Sequence, residues 1–520
     1  MSERAWHGNI NKSSTVGGEM AFLSILDRER TIAPADYNRW LVPPAALCVH
    51  LCIGEVYAFS VFNLPLTKLI GGPGHPGHNW SLVDVGWIFS VAILFLGLAS
   101  AFAGGWLDRV GPRRAMVLAA ACFGGGFLVA AVGVAIHSLV VLFIGYGVIG
   151  GIGLGIGYVS PVRTLLMWFP DRPGMATGLA IMGFGGAAMI GAPLSVLLMH
   201  VFATASQPGI VGCFVTLGIL YAVFMTLGAV IVRVPPAGWL PPNADQQTNA
   251  ASWLNSTDVT GGGALRTPQF YYLWLVLFLN VTAGIGVISQ ASPMIQEMFH
   301  GQITAFTAAG FVGFISLFNM GGRFAWASLS DWIGRKATFF IFFFLGIALY
   351  LIVPHTAVLG SVALTALCFG LILSMYGGGF ATIPAYLRDI FGVRHVGAIH
   401  GRLLTAWSAA GVLGPVLIDY IRRYQISLGV PKADSYTVTL YIMAGLLLFG
   451  AFCNSMIYRW QTDVTGINLA ELSEANPAPA AAKAVATTEP RFIAYWLLVG
   501  IPLAWGVFNT LLGASHLFGF

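Results

Sequence analysis

Apolar runs of roughly twenty residues, the length that carries a helix across a bilayer core, recur along this 520-residue chain. They lie at 41–62, 85–107, 115–135, 139–166, 175–202 and 211–232, then at 270–290, 305–327, 337–353, 358–386, 396–420 and 437–460. A polar stretch from Arg233 to Pro268 divides them into six and six. A further run, 492–512, follows an Ala/Pro-rich segment. Charged residues make up only 9% of the chain and hydrophobic ones 57%, whereas a soluble domain carries about 25% charge. A soluble fold is therefore excluded. So is disorder, because 36 Phe, 15 Trp and 16 Tyr are bulk that a solvated chain avoids. The expectation is an all-α, multi-pass membrane protein with this division: a tail at 1–38, a six-helix bundle at 39–232, a linker at 233–268, a second bundle at 269–460, a second linker at 461–491, and an extra helix at 492–513.

Basic residues favour cytoplasmic loops. With the amino terminus inside, only Lys68, Arg422, Arg423 and Lys432 of 25 Lys and Arg fall outside, while Arg163, Arg323 and Arg402 sit within or near helix ends. The opposite orientation would expose the remaining basic residues, so a cytoplasmic amino terminus is expected. The first forty residues are polar, and no cleaved signal peptide is expected. The halves also repeat. Asp108 and Asp331 are separated by the same interval as Pro161 and Pro384, and Pro193 and Pro415 by one residue less. A duplicated six-helix unit places substrate sites near the midplane, between the halves.

Several tempting features point elsewhere. Cys48, Cys52, Cys122, Cys213, Cys368 and Cys453 lie in apolar runs and read as small buried hydrophobes. Gly151-Ile152-Gly153-Leu154-Gly155-Ile156-Gly157 follows no strand, so it reads as a surface for close helix contact. His75 and His78 fall in a Gly/Pro-rich loop, where solvation outweighs metal binding. Without a phosphate loop, zinc spacing or nucleophile motif, no enzyme activity, cofactor, metal or nucleic-acid partner is expected.

Gly105-Trp106-Leu107-Asp108-Arg109-Val110-Gly111-Pro112-Arg113-Arg114 resembles the cytoplasmic signature of the major facilitator superfamily, and Ser330-Asp331-Trp332-Ile333-Gly334-Arg335-Lys336 is its second copy. Gly105, Asp108, Arg109, Gly111, Arg113, Asp331, Gly334 and Arg335 are thus candidates for a charge latch that holds one access state. Five further stretches resemble the oxalate/formate antiporter family, relatives of the monocarboxylate transporters. They are Arg39-Trp40-Leu41-Val42-Pro43, the run from Gly54 to Phe62, Trp168-Phe169-Pro170-Asp171-Arg172, Phe318-Asn319-Met320-Gly321-Gly322-Arg323 and Tyr376-Gly377-Gly378-Gly379-Phe380. The resemblance covers about residues 39–460.

Arg323 stands eight residues before Asp331, about 12 Å from the helix end. A charge at that depth costs at least ~2.5–3.5 kcal/mol, so it should face a cavity. The resemblance implies that this arginine binds the substrate carboxylate. Family oxalate carriers use a second cation, a lysine on the eleventh helix; here alignment puts Trp407 at that position. One central cation suits one carboxylate, which favours formate, lactate or pyruvate over oxalate. Tyr57, Tyr158 and Tyr376 match or lie near cavity-lining positions of the family. Glu55, the acidic residue inside the first apolar run, is a candidate proton carrier or a partner for an interior arginine. The expectation is a monomeric secondary transporter of small organic anions in the cell (inner) membrane, working by anion exchange or proton symport. The rivals are a carrier of a non-anionic solute and a transporter-like sensor.

Overall fold

A computed structural model describes residues 26–34, 36–69, 79–204, 207–236, 239, 258–300, 302–303, 305–392, 395–458, 473–474, 490–515 and 517–518. His75 and His78, the tail before residue 26 and most of both polar linkers lie outside the described residues.

Thirteen long helices run through the described residues. The first, α1 (Val42–Ile53), continues through a 3-10 segment, Gly54–Ala58, into Ser60–Thr67. It is followed by α2 (Leu82–Val110) and α3 (Pro112–Ala135), and then by α4 (Leu139–Trp168). The first half closes with α5 (Pro173–Val201) and α6 (Ile210–Ile231), and the second opens with α7 (Pro268–Met298), α8 (Ala305–Ile333), α9 (Arg335–Val358) and α10 (Val362–Phe391). Then come α11 (Val396–Ser427), α12 (Thr437–Ser455) and α13 (Pro490–Ser515). Twelve described helices are long and apolar enough to cross a membrane, and the 29-residue α8 packs among them.

Local chemistry sets the helix ends. The Ser81 hydroxyl accepts from the Asp84 backbone N–H at 3.2 Å, and the Asp84 carboxylate accepts from the Ser81 N–H at 3.0 Å. This reciprocal cap satisfies donors that a helix start leaves open. The two signature copies end in matching turns: Gly111 at φ +84° and Gly334 at φ +89° adopt a backbone that a side chain resists. Their N–H groups return to Leu107 and Ser330. The duplication seen in the sequence is therefore a duplication of backbone geometry.

Two irregularities shape the interior. The 3-10 segment Gly54–Ala58 interrupts α1 at Tyr57, and α11 breaks at Leu404 between its parts Val396–Leu403 and Thr405–Ser427. The break in α11 sits just before Trp407. The six cysteines are free, and all but the half-buried Cys122 are fully buried.

The halves meet where α5 packs on α8 and α10, and where α2 packs on α11. The extra helix α13 lies across the first of these seams. Val499 is buried against Leu47, Cys48 and Leu51 of α1. A Cβ on Gly506 would sit 2.8 Å from Ile190 of α5, and Thr510 fills the space beside Gly313 of α8. The Trp496 indole N–H donates to the Trp40 carbonyl at 3.2 Å. Its other side, with Ile493, Leu497, Ile501 and Phe508, is exposed as a lipid-facing surface requires. A chain ending at residue 489 should still insert but should melt several degrees lower in detergent. An unchanged melting temperature would mean that these contacts add no stability.

Candidate functional site

Arg323 is fully buried on α8, at the seam between the halves. Neighbouring glycines make room for it: a Cβ on Gly185 of α5 would lie 2.7 Å from Arg323 Nε, and one on Gly377 of α10 would lie 3.0 Å from Arg323 Cγ. Nε donates to Asn319 Oδ1 at 3.1 Å, and Nη1 donates to the Ile181 carbonyl at 3.1 Å. Nη2 is buried without a partner. Among the described residues no carboxylate pairs with this cation. The guanidinium is thus half committed to the protein and half open, rather than a wholly free two-pronged fork.

Aromatic rings enclose it. The Arg323 carbon Cζ lies 5.3 Å from the ring centres of both Phe184, on α5, and Phe380, on α10. A cation over a ring face gains about 0.5–2 kcal/mol, and here each half contributes one ring. The Tyr57 and Tyr376 hydroxyls are 2.6 Å apart and join the halves. Trp407 stands 5.2 Å from Phe184, 4.4 Å from Phe380 and 5.2 Å from Tyr158 by ring centres. The Tyr158 hydroxyl and the Trp407 indole nitrogen are buried without partners. All four aromatic residues singled out in the sequence therefore gather at Arg323. Phe184 and Phe380 were missed, because phenylalanine in an apolar run carries no sign of its neighbour.

Glu55 goes elsewhere. It is buried, its Oε1 accepts from the Ser195 hydroxyl at 3.2 Å, and Oε2 has no hydrogen-bond partner. Tyr221 stands beside it. Gly191 supplies the space, since a Cβ there would come within 1.4 Å of Oε2. The expectation that Glu55 partners an interior arginine is corrected: residues two apart on a helix point to different faces, so Glu55 enters the first bundle while Tyr57 faces the seam.

At matching positions of the two signature copies, Arg113 and Lys336 each hold carbonyls at the end of the last helix of their own half, α6 and α12, and the second copy also crosses the seam. Asp331 accepts the backbone N–H groups of Gly174 and Met175, both at 3.0 Å, and pairs with Arg335. It thereby caps the start of α5 from the other half, where open N–H groups and the helix dipole attract an anion. Arg335 also reaches Asp389 at 3.2 Å. Arg113 instead donates to the carbonyls of Ala229, Val230 and Val232 at the end of α6, within its own half. Orphan carbonyls at a helix end are good partners for a cation. Gly105 and Arg109 are exposed, and the Asp108 side chain lies outside the described residues.

The Thr177 hydroxyl donates to the Ala381 carbonyl, sealing the Asp331 end further. From the opposite end a narrow cleft of about 40 Å³, lined by Asn63, Trp87, Ser90, Gln290 and Asp419, reaches Tyr57. Asp331→Asn should weaken the seal. A cysteine at Ala180, in a background without native cysteines, should react faster with a maleimide applied from the Asp331 end. An unchanged rate would show that the cap does not hold the seam closed.

The Major Facilitator Superfamily matches residues 46–415. The chain is 25% identical over 378 residues to the oxalate:formate antiporter of Oxalobacter formigenes, covering 72% of this chain and 83% of that one. It is 26% identical over 375 residues to apicoplast pyruvate carrier 1 of Toxoplasma gondii, covering 62% and 66%. The human organic anion transporter MFSD10 (TETRAN) shares the fold, with a TM-score of 0.58 at 16% identity over 80% of this chain and 100% of that one. Two related six-helix bundles and a match across most of their length identify the chain as a member of the Major Facilitator Superfamily of membrane transporters.

Proposed function

We propose that the protein is a secondary active transporter of small organic anions, with monocarboxylates such as formate, lactate or pyruvate as the substrate class and oxalate/formate exchange as the neighbouring alternative. One observation carries this reading: a fully buried guanidinium at the seam, unpaired with any described carboxylate and with Nη2 open. A substrate carboxylate is the natural partner for that nitrogen. The Tyr158 hydroxyl and Trp407 indole N–H offer further donors in the same aromatic enclosure, which rejects water. The relatives that carry oxalate and formate or pyruvate support the same class. Trp407, standing where a second cation would serve a second carboxylate, favours a single negative charge.

The mechanism is alternating access. An empty site leaves a desolvated charge only partly satisfied, which disfavours closure of both ends at once. A bound carboxylate neutralises it and lowers that cost, so exchange of one anion for another follows. In the observed arrangement the Asp331 end is closed. That end carries Arg114, Arg335 and Lys336 and is assigned to the cytoplasm, with the amino terminus on the same side and the cell membrane as the location. Proton symport is a second reading, favoured by the buried Glu55 carboxyl with its unpartnered Oε2. In that reading Glu55 takes the coupling proton in the first bundle while Arg323 holds the anion.

Uptake of radiolabelled formate, oxalate, lactate and pyruvate into proteoliposomes tests the class. Arg323→Ala should lower uptake by about 30-fold or more, the scale of removing one partner from a buried charge pair. Arg323→Lys should also be impaired, because an ammonium cannot hold Asn319 and Ile181 and still present an open donor. Wild-type flux in Arg323→Ala would refute the role, and no anion moving at all would favour a non-anionic substrate. Binding without flux would favour a sensor. Trp407→Lys should shift the ratio of oxalate to formate uptake towards oxalate; an unchanged ratio would refute the place given to Trp407. Glu55→Gln should spare anion exchange and abolish uptake driven by a pH gradient if protons pass there; retained pH-driven uptake would exclude that route.

A further inference from the structure

A second concentration of positive charge lies away from Arg323, on the outside of the bundle. At the Asp331 end, α2, α7 and α11 enclose a groove of about 870 Å³. Its walls include Trp106 and Arg109 from α2, Tyr271 and Trp274 from α7, and Arg402 and Thr405 from α11. The groove opens towards lipid: Phe102, two turns deeper on α2, also lines it and is 81% exposed.

The aromatic walls are already committed. The Trp274 indole N–H donates to Thr405 Oγ1 at 2.9 Å, and the Tyr271 hydroxyl donates to the Leu265 carbonyl at 3.0 Å. The cations are not. Neither the Arg109 nor the Arg402 side chain has a hydrogen bond or ion pair with a described residue, and Arg402 Nη1 is buried without a partner. Gly261 preserves the space at that nitrogen, since a Cβ there would lie 1.9 Å from Nη1. Among the described residues no lining side chain is acidic. Two guanidiniums in an interfacial groove present a fork geometry suited to phosphate oxygens, and basic pockets between membrane helices hold anionic headgroups.

We infer that this groove binds the phosphate headgroup of an anionic phospholipid, with Arg109 and Arg402 as its ligands and Trp106 and Phe102 against the glycerol and upper acyl chains. The lipid, rather than a free phosphate ester, is the occupant because the groove continues onto an exposed apolar surface. Its position carries a consequence. Arg109 belongs to the first half and Arg402 to the second, so one headgroup bridges the halves at the end that is closed.

The test uses the full-length protein, equilibrated in vesicles of phosphatidylglycerol and phosphatidylcholine and then extracted for native mass spectrometry. The wild type should retain one phosphatidylglycerol through delipidation that strips phosphatidylcholine. The double variant Arg109→Gln/Arg402→Gln should retain it at least about tenfold less, as expected for losing two cations near a headgroup. Arg423→Gln, at the other end of the bundle, should behave as wild type. If the double variant fails to fold, Arg109→Gln alone serves, since that side chain is exposed, and a severalfold loss is expected. Equal retention in the folded Arg109 or double variant would overturn the inference. Displacement of phosphatidylglycerol by an equal concentration of glycerol 3-phosphate would also overturn it, making the groove a site for soluble anions.

Discussion

A positive charge buried without a countercharge is the constraint on which the interior depends. Arg323 brings a guanidinium cation into the interior, so the surrounding structure must tolerate it. Asn319 and the Ile181 carbonyl satisfy part of it, and Phe184 and Phe380 offer their negative ring faces. None of these cancels the charge. The remaining donor is therefore a standing demand for an anion at the seam between the two bundles. Gly185 leaves room for the guanidinium and Gly377 for the Arg323 stem and Asn319, since a Cβ at either would crowd those atoms.

Small polar contacts cross the seam as well as the packing of α5 on α8 and of α2 on α11. The Tyr57–Tyr376 hydroxyl pair, the Ser408 hydroxyl on the Ile93 carbonyl and the Ser90 hydroxyl on the Gly411 carbonyl each cross it. Each such bond contributes about 0.5–1.5 kcal/mol net. The charged cap of Asp331 on α5 joins the halves at the closed end. At the matching positions of the two signature copies, Arg113 ties α3 to the end of α6 and Lys336 ties α9 to the end of α12. The α13 helix adds a further link, touching α1 and α5 of one half and α8 of the other.

Much of this was legible in the residues. Apolar length and the polar division gave the number and grouping of helices, since bilayer thickness leaves few alternatives. The isolated arginine stood out because burying a charge is costly enough to need a reason. Tyr57, Tyr158, Tyr376 and Trp407 were recognisable only through motif resemblance, and they do converge on Arg323. Phe184 and Phe380 were not legible, because among 36 phenylalanines nothing local distinguishes a ring over a cation from a ring in lipid. That Glu55 and Tyr57 point to different faces follows from their two-residue spacing, but which of them would meet the seam was hidden.

By itself, then, the sequence determined that this chain spans a membrane as two related six-helix units with a further helix and an interior arginine. Periodicity, charge cost and duplication are properties of the residues in order. Only the tertiary structure decided which atoms of that arginine are engaged and which remain open, and that Asp331 of the repeated signature caps a helix of the other half. Those outcomes depend on side chains brought together from α1, α4, α5, α8, α10 and α11, and distance along the chain carries no record of distance in space.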